Sequence, residues 1–294
     1  MASRARVALY KTLGTLLERL PERFDVVVVS RIARSVGKRS PGARANLRTN
    51  IEHALGVPAA SADDELVERF VERGFESYGR YWAEGAKLPA LRKATISKYF
   101  QVAEGLEHLH DAKSRGKGII IALPHIGSWE WGGSFLDSIG LGMTAVAEEL
   151  EPAELFAWFK EKREKIGIRI EPLNEHAGTI LLHTLKENGV VGLLCDRDLQ
   201  DNGVEVEFFG EQVRIPAGPA TLALRTGATL VAAACYSGPG RGHFAVVTPP
   251  IAAERQGRLR EDVTRVTQGV AVALEGLIRR APEQWHVLQP RFDS

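Results

Sequence analysis

Cysteine is nearly absent: Cys195 and Cys235 are the two in 294 residues, each inside an apolar run. Two buried thiols supply neither a disulfide framework nor a thiolate metal site, and they point to a reducing, cytosolic setting. Charge of one sign is not in excess either. Thirty-eight Lys and Arg stand against 37 Asp and Glu, which leaves no overall electrostatic footprint for nucleic acid. Long apolar runs are lacking, since the stretch from Ala228 to Tyr236 falls well short of the ~20 residues that span hydrocarbon. Lys11 and Glu18 interrupt any signal-peptide core. No Gly-x-Ser-x-Gly elbow occurs, which excludes an α/β serine hydrolase, and the want of a Walker A loop or Rossmann glycine fingerprint disfavours nucleotide use.

What is present is an ordinary globular composition, 44% hydrophobic, long enough for one large domain or two small ones. No linker, repeat or low-complexity run divides it. The expectation is a single domain over 1–294, mainly helical over 1–88 and with an α/β core over 89–294. Helices are expected at Ala43–Leu55, Asp63–Trp82, Trp129–Ser138, Ala153–Ile166, Ala177–Glu187, Pro216–Thr226 and Asp262–Arg280. Strands are expected at Ile119–Leu123, Thr144–Ala147, Ile168–Glu171, Val190–Cys195, Thr229–Tyr236 and Phe244–Val247, with a hairpin arm at Val204–Phe208. Such alternation predicts an α/β fold, a mostly parallel central sheet flanked by helices, with a helical N-terminal extension. In that extension Leu9, Tyr10, Leu13, Leu16, Leu17 and Leu20 line one helical face, near the basic Arg4, Arg6, Lys11 and Arg19. A face of this kind packs on the domain or lies on a membrane surface.

Gly118-Ile119-Ile120-Ile121-Ala122-Leu123 reads as a short buried strand that delivers Pro124-His125-Ile126-Gly127-Ser128-Trp129-Glu130 to its carboxyl end. Open α/β sheets place their ligand sites there. A structural reading exists, in which His125 caps the strand and Glu130 complements a helix dipole. The small residues Gly127, Ser128, Gly132 and Gly133 favour catalysis by leaving space around the imidazole. With His125 in the loop, the following helix turns Glu130 back towards it. A carboxylate on one ring nitrogen fixes the tautomer and raises the basicity of the other, which then accepts a hydroxyl proton.

A second buried strand, Val190 to Cys195, ends in Asp196-Arg197-Asp198. If the two strands are neighbours, both clusters face one crevice. Asp196 or Asp198 would position an attacking hydroxyl or support the imidazole. Arg197 would neutralise phosphate or pair with its acidic neighbours.

These blocks, with Phe208-Phe209-Gly210, Pro216-Ala217-Gly218-Pro219-Ala220 and Thr226-Gly227-Ala228, follow the order seen in the lipid A biosynthesis (lauroyl/myristoyl) acyltransferase family, which the chain resembles from about Asn46 to Pro290. The closing Trp285-His286-Val287-Leu288-Gln289-Pro290 is similar to the actinobacterial branch, the phosphatidylinositol mannoside acyltransferases. The resemblance implies an O-acyltransferase that moves a long, palmitoyl-like chain from acyl-CoA to a glycolipid sugar hydroxyl, without metal or other cofactor. Its implied catalytic residues are His125 as general base, Glu130 as the orienting acid and Asp196 completing the polar site. Backbone amides near Gly127 and Ser128 are candidate oxyanion donors.

For the substrate wall the resemblance implies Glu148 for sugar hydroxyls, Arg163 for phosphate or the carbonyl, Arg197 and Asp198, and Asn202 and Arg225 beside the acyl carrier. Implied partners are acyl-CoA, a membrane glycolipid acceptor and an anionic membrane surface, with no nucleic acid and a monomeric state. The lipid A branch commonly carries a transmembrane anchor; its lack here fits a peripheral protein on the cytoplasmic face of the cell membrane and makes the Leu9–Leu20 stripe the contact surface. Alternatives are a lipid A-type or glycerophospholipid acyltransferase, the latter short of its Pro-Glu-Gly-Thr-Arg block, and a non-catalytic lipid-binding protein.

Overall fold

The computed structural model describes residues 11–12, 14–16, 22–57, 64–198 and 200–292. Helices α1 (Glu22–Lys38), α2 (Pro41–Leu55) and α3 (Asp64–Lys87) build the N-terminal part. Pro41 opens α2 where no backbone N–H is needed, and left-handed Gly56 closes it. Leu47 and Ile51 of α2 meet Val67, Val71 and Phe75 of α3 in a small separate core. Ion pairs from Arg34 and Lys38 to Glu72 and Glu76 hold α1 along α3. The other side of α1 leaves Val28, Ile32 and Val36 exposed by 42%, 56% and 53%, one stripe at i, i+4, i+8. Of the expected N-terminal stripe, Leu16 is described and exposed; Leu9, Tyr10, Leu13, Leu17 and Leu20 lie outside the described residues.

After α4 (Lys93–Tyr99), β1 (Phe100–Glu104) and α5 (Leu106–Ser114) comes the βα alternation that the pattern predicts: β2 (Ile119–Leu123), α6 (Trp129–Ser138), β3 (Met143–Ala147), α7 (Ala153–Glu164), β4 (Ile168–Pro172), α8 (Ala177–Lys186) and β5 (Val190–Leu194). A two-stranded hairpin follows, β6 (Val204–Phe208) and β7 (Glu211–Ile215), then α9 (Gly218–Thr226), β8 (Thr229–Ser237), β9 (His243–Val247) and α10 (Leu259–Arg279). The main sheet has the order β1-β9-β8-β2-β5-β3-β4. Five neighbouring strands run parallel, β9 runs against β8, and β1 runs with β9. The sheet is thus mostly parallel, as expected, with one reversed pair at an edge.

Strand β2 is buried on both faces. Ile120 and Ala122 join a core under α8, α9 and α10, while Ile119, Ile121 and Leu123 join another under α5 and α6. The stripe Val263, Val266, Val270, Leu274, Leu277 and Ile278 of α10 is buried as its spacing predicts, each side chain contributing about 1.5–3 kcal/mol. The apolar centre holds the strands together, and their order sets the site.

Candidate active site

Strands β2 and β5 pair in register, Leu123 opposite Leu194, and the ladder runs one step on through Cys195 N–H to the Leu123 carbonyl at 3.0 Å. Two residues beyond each strand end stand His125 and Asp196. Nδ1 of His125 lies 2.6 Å from Asp196 Oδ1, and the His125 backbone N–H donates to Oδ2 at 2.9 Å. The indole N–H of Trp285 donates to the same Oδ2 at 2.7 Å. Asp196 is wholly buried, while the His125 side chain is 28% exposed. Burial alone would raise the Asp196 pKa, but the His125 charge and the three hydrogen bonds bring it down to about 2. An ionised carboxylate only accepts, so Nδ1 carries a proton, and Nε2 is the nitrogen turned away from Asp196. Nε2 has no hydrogen-bond partner among the described residues.

The acid on the imidazole is therefore Asp196; Glu130, expected there, makes no hydrogen bond to His125. Glu130 is buried in the first turn of α6. Its Oε1 accepts the Tyr81 hydroxyl at 2.9 Å and Arg163 Nη2 at 3.2 Å. The reason is geometric: the turn into α6 carries Glu130 towards α3 and α7, while strand register brings Asp196 alongside His125. Burial would lower the Arg163 pKa, but Glu130 and Tyr81 overcome it and push it up. Burial and the Glu130 charge raise the Tyr81 phenol above its ordinary value. The guanidinium also lies 5.1 Å from the Trp129 ring centroid.

The loop after β2 is sewn into the sheet. Gly127 N–H donates to Gln284 O at 2.9 Å and Ser128 N–H to Cys235 O at 3.0 Å. Both amides proposed from sequence as oxyanion donors are thus already engaged. Gly127 sits at φ 54°, and a Cβ there would run into the Cys235 carbonyl oxygen. Nor do Gly132 and Gly133 open space around the imidazole. They let α6 approach the sheet, where a Cβ would strike Cys235 Sγ or Ile168 Cδ1.

Beneath α6 lies a narrow apolar slot, bounded by Leu123, Trp129, Phe135, Met143, Ala233 and Ala245 among others. Leu123, the last residue of β2, and Trp129, the first of α6, are its lining residues nearest His125 in the chain. Burial, then the Glu130 charge, pushes the Cys235 thiol up to about 12, and burial pushes Cys195 up as well. Neither sulfur is a thiolate nucleophile at neutral pH.

The remaining expected residues divide. Arg197 is half-buried beside Asp196 and makes no hydrogen bond or ion pair among the described residues. Asp198 instead structures its own loop, accepting the Gln200 and Gly203 N–H groups at 3.2 and 2.6 Å. Asn202 is exposed in that loop and bonds Gln200. Glu148 is exposed just past β3, on the same edge of the sheet. Arg225 does not border the site. Helix α9 runs back to the edge where strands begin, ending where Gly227 meets Lys117 and Thr229 N–H reaches Gly118 O.

Sequence reasoning gave no role to the C-terminal strap. His286 N–H donates to the His125 carbonyl at 2.7 Å, and its Nε2 lies 2.9 Å from Ser77 Oγ. Its ring sits 5.5 and 5.4 Å from those of Tyr78 and Tyr81. Burial, with the His125 charge, pushes its pKa down to about 3, so it is neutral at pH 7. The signal available was the block from Trp285 to Pro290, which carried the resemblance without a function.

Comparison with known proteins gives the family. A family model for bacterial lipid A biosynthesis acyltransferases matches residues 1–294. The phosphatidylinositol mannoside acyltransferase of Mycobacterium tuberculosis is 38% identical over 255 residues, 85% of this chain and 78% of that protein. The protein of the same name from Mycolicibacterium smegmatis is 34% identical over 280 residues, 94% of this chain and 88% of its own length. A lipid A biosynthesis acyltransferase of Haemophilus influenzae is 21% identical over 92% of this chain and 82% of that protein. With a carboxylate-backed imidazole partly open to solvent, and matches running along the whole chain, this protein belongs to the bacterial lipid A biosynthesis acyltransferase family and is an O-acyltransferase.

Proposed function

We propose that the protein transfers a long acyl chain from acyl-CoA to a sugar hydroxyl of a glycolipid, a mannose of phosphatidylinositol mannosides, with His125 as general base. The observation that carries this is the imidazole with Nδ1 bound to Asp196 and Nε2 left unpartnered, at the carboxyl ends of two neighbouring parallel strands. The acceptor oxygen attacks the thioester carbon while Nε2 takes its proton, and Asp196 stabilises the imidazolium. The tetrahedral intermediate collapses, the carbon–sulfur bond breaks, and the departing thiolate takes the proton back from Nε2. The apolar slot beneath α6 would take the chain, each buried methylene contributing about 0.8 kcal/mol to holding it. The ion pair of Glu130 and Arg163 stands on the α3 and α7 side, where Arg163 meets the polar end of the substrates. The names of the mycobacterial relatives support the choice of acceptor.

Among the described residues no helix is long and apolar enough to cross a membrane. The α1 stripe of Val28, Ile32 and Val36, beside the exposed Arg31, supports peripheral docking on an anionic surface. In this reading the enzyme works as a monomer at the cytoplasmic face of the cell membrane.

The test is purified protein with palmitoyl-CoA and a phosphatidylinositol mannoside, followed by thiol release and mass spectrometry of the glycolipid. Acylation of a mannose, lost in His125→Ala, is expected. Acylation of a lipid A precursor or glycerol phosphate instead would replace the acceptor assignment, and no transfer to any acceptor would overturn it.

A further inference from the structure

We propose that Trp285 is a positioning residue for the reacting pair, its indole N–H orienting the Asp196 carboxylate so that Oδ1 faces the imidazole. This rests on the reading of His125 as base. A buried carboxylate has about four acceptor positions and two equivalent orientations about its last torsion. In this site both the His125 backbone N–H and the Trp285 indole N–H fall on Oδ2, at 2.9 and 2.7 Å. That leaves Oδ1 to the ring, at 2.6 Å. The backbone bond comes from the partner residue itself and moves with it. The indole is the independent anchor.

Trp285 is well placed to be one. It is 1% exposed and packs against Phe208 and Phe209, at 6.1 and 5.7 Å between ring centroids. Its backbone follows a 3-10 turn, Pro282–Gln284, and pairs with Ile126 across from the His125 loop. On one side Gln284 takes the Gly127 N–H and clasps both the N–H and carbonyl of Ser237, at 2.8 and 3.0 Å. On the other, Asn50 and Asn46 of α2 donate to the Val287 and Leu288 carbonyls at 2.8 and 3.0 Å. The strap is thereby fixed at both ends, to the sheet and to the N-terminal helices. One segment thus sets the His125 backbone, through His286, and the Asp196 carboxylate, through Trp285.

The indole also drains negative charge from the carboxylate. Without that donor Asp196 keeps more charge and attracts the imidazolium formed in the reaction more strongly. The other groups facing the pair are Arg197 and Asp198 on its own loop, Cys195 before it, and His286 and Arg291 on the strap. None of them is altered by a change at 285. Cys195 is protonated and His286 neutral around neutral pH.

The experiment compares Trp285→Phe with a protein carrying benzothienylalanine at 285, which keeps the shape of indole and replaces N–H by sulfur. Assayed with palmitoyl-CoA and phosphatidylinositol mannoside, both are expected to lose kcat about tenfold or more, the scale of one hydrogen bond to a charged group. The KM for the acyl donor should be unchanged, and the acidic limb of the kcat/KM profile should move to higher pH. A benzothienylalanine enzyme with wild-type kcat and an unmoved limb would overturn the assignment, whatever Trp285→Phe does through lost packing. His125→Ala assayed alongside separates the two readings. If it is inactive while the benzothienylalanine enzyme is normal, only the role of Trp285 fails. If it keeps full turnover, the base assignment fails and takes this one with it.

Discussion

Leu123 and Leu194 face each other at the ends of two neighbouring parallel strands, and that register sets His125 beside Asp196, Nδ1 to Oδ1 at 2.6 Å. The pair is built by the sheet and not by a helical turn. His125→Ala is expected to lower turnover by about 10²–10⁴-fold, the usual contribution of a positioned base. Asp196→Asn should do comparable harm, because an amide can present its own N–H to Nδ1 and so favour the wrong tautomer. Circular dichroism should show both variants folded. No acyl-enzyme should be trapped by mass spectrometry, since both thiols are buried and protonated.

Glu130 is buried and Arg163 half-buried in an ion pair, and removing Arg163 strands the carboxylate. Glu130→Gln should destabilise the fold by about 3–5 kcal/mol and also reduce turnover. Glu130→Asp should keep more of both. In a double-mutant cycle with Arg163→Met, the double variant should lose less than the two single losses added together. Strict additivity in denaturant unfolding would show that the two groups act separately.

Two residues near the pair set distinct acid windows. His286 is held at about 3 in the fold against about 6.5 in an unfolded chain. Between those values the unfolded state binds the extra proton, so stability falls as pH drops through that window. Asp196 is held at about 2 against about 3.9 unfolded. Its contribution is present above the higher value and lost as pH falls towards the lower. His286→Gln should flatten the stability curve from about pH 6.5 to 3 and leave the steeper loss below about pH 4 in place. Urea unfolding across pH checks this, and an unchanged slope above pH 4 would show that His286 is not buried neutral.

The slot should set acyl length. Ala245 lines it from β9, and Ala245→Leu would fill part of it, at a cost of about 1–3 kcal/mol of overpacking. The profile of kcat/KM against donor length should then shift to shorter chains. A loss equal at every length would place the acyl chain elsewhere.

Much of this was legible in the chain. The all-apolar runs of β2 and β5 announced themselves, and so did the 3.6-residue stripe of α10, because burial on both faces or on one face leaves a clear period. Strand β1 did not, since Gln101 and Glu104 break its pattern at the sheet edge and its outer residues face solvent. The arm Glu211–Ile215 was missed for a related reason: its two apolar residues, Val213 and Ile215, are too few to signal a strand without β6 beside it. The choice between Glu130 and Asp196 needed strand order, which no local spacing contains. Arg225 was misplaced because a helix position says nothing about the direction in which the helix crosses the sheet.

Val28, Ile32 and Val36 form the exposed apolar stripe that the described part of the N-terminal region offers to a bilayer. Replacing all three by Gln should weaken binding to anionic vesicles in a sedimentation assay. Nearby basic residues add about 1 kcal/mol each close to the surface. That attraction is screened beyond about 8–10 Å at ordinary ionic strength, so salt should release the protein as well. Because the stripe faces away from α3 and the sheet, turnover on a soluble, short-chain acceptor should fall much less than vesicle binding. Deleting the first twenty residues tests the Leu9–Leu20 stripe in the same assay. Should the triple variant sediment like the parent while the truncated protein does not, the contact belongs to that earlier segment and α1 is only its neighbour.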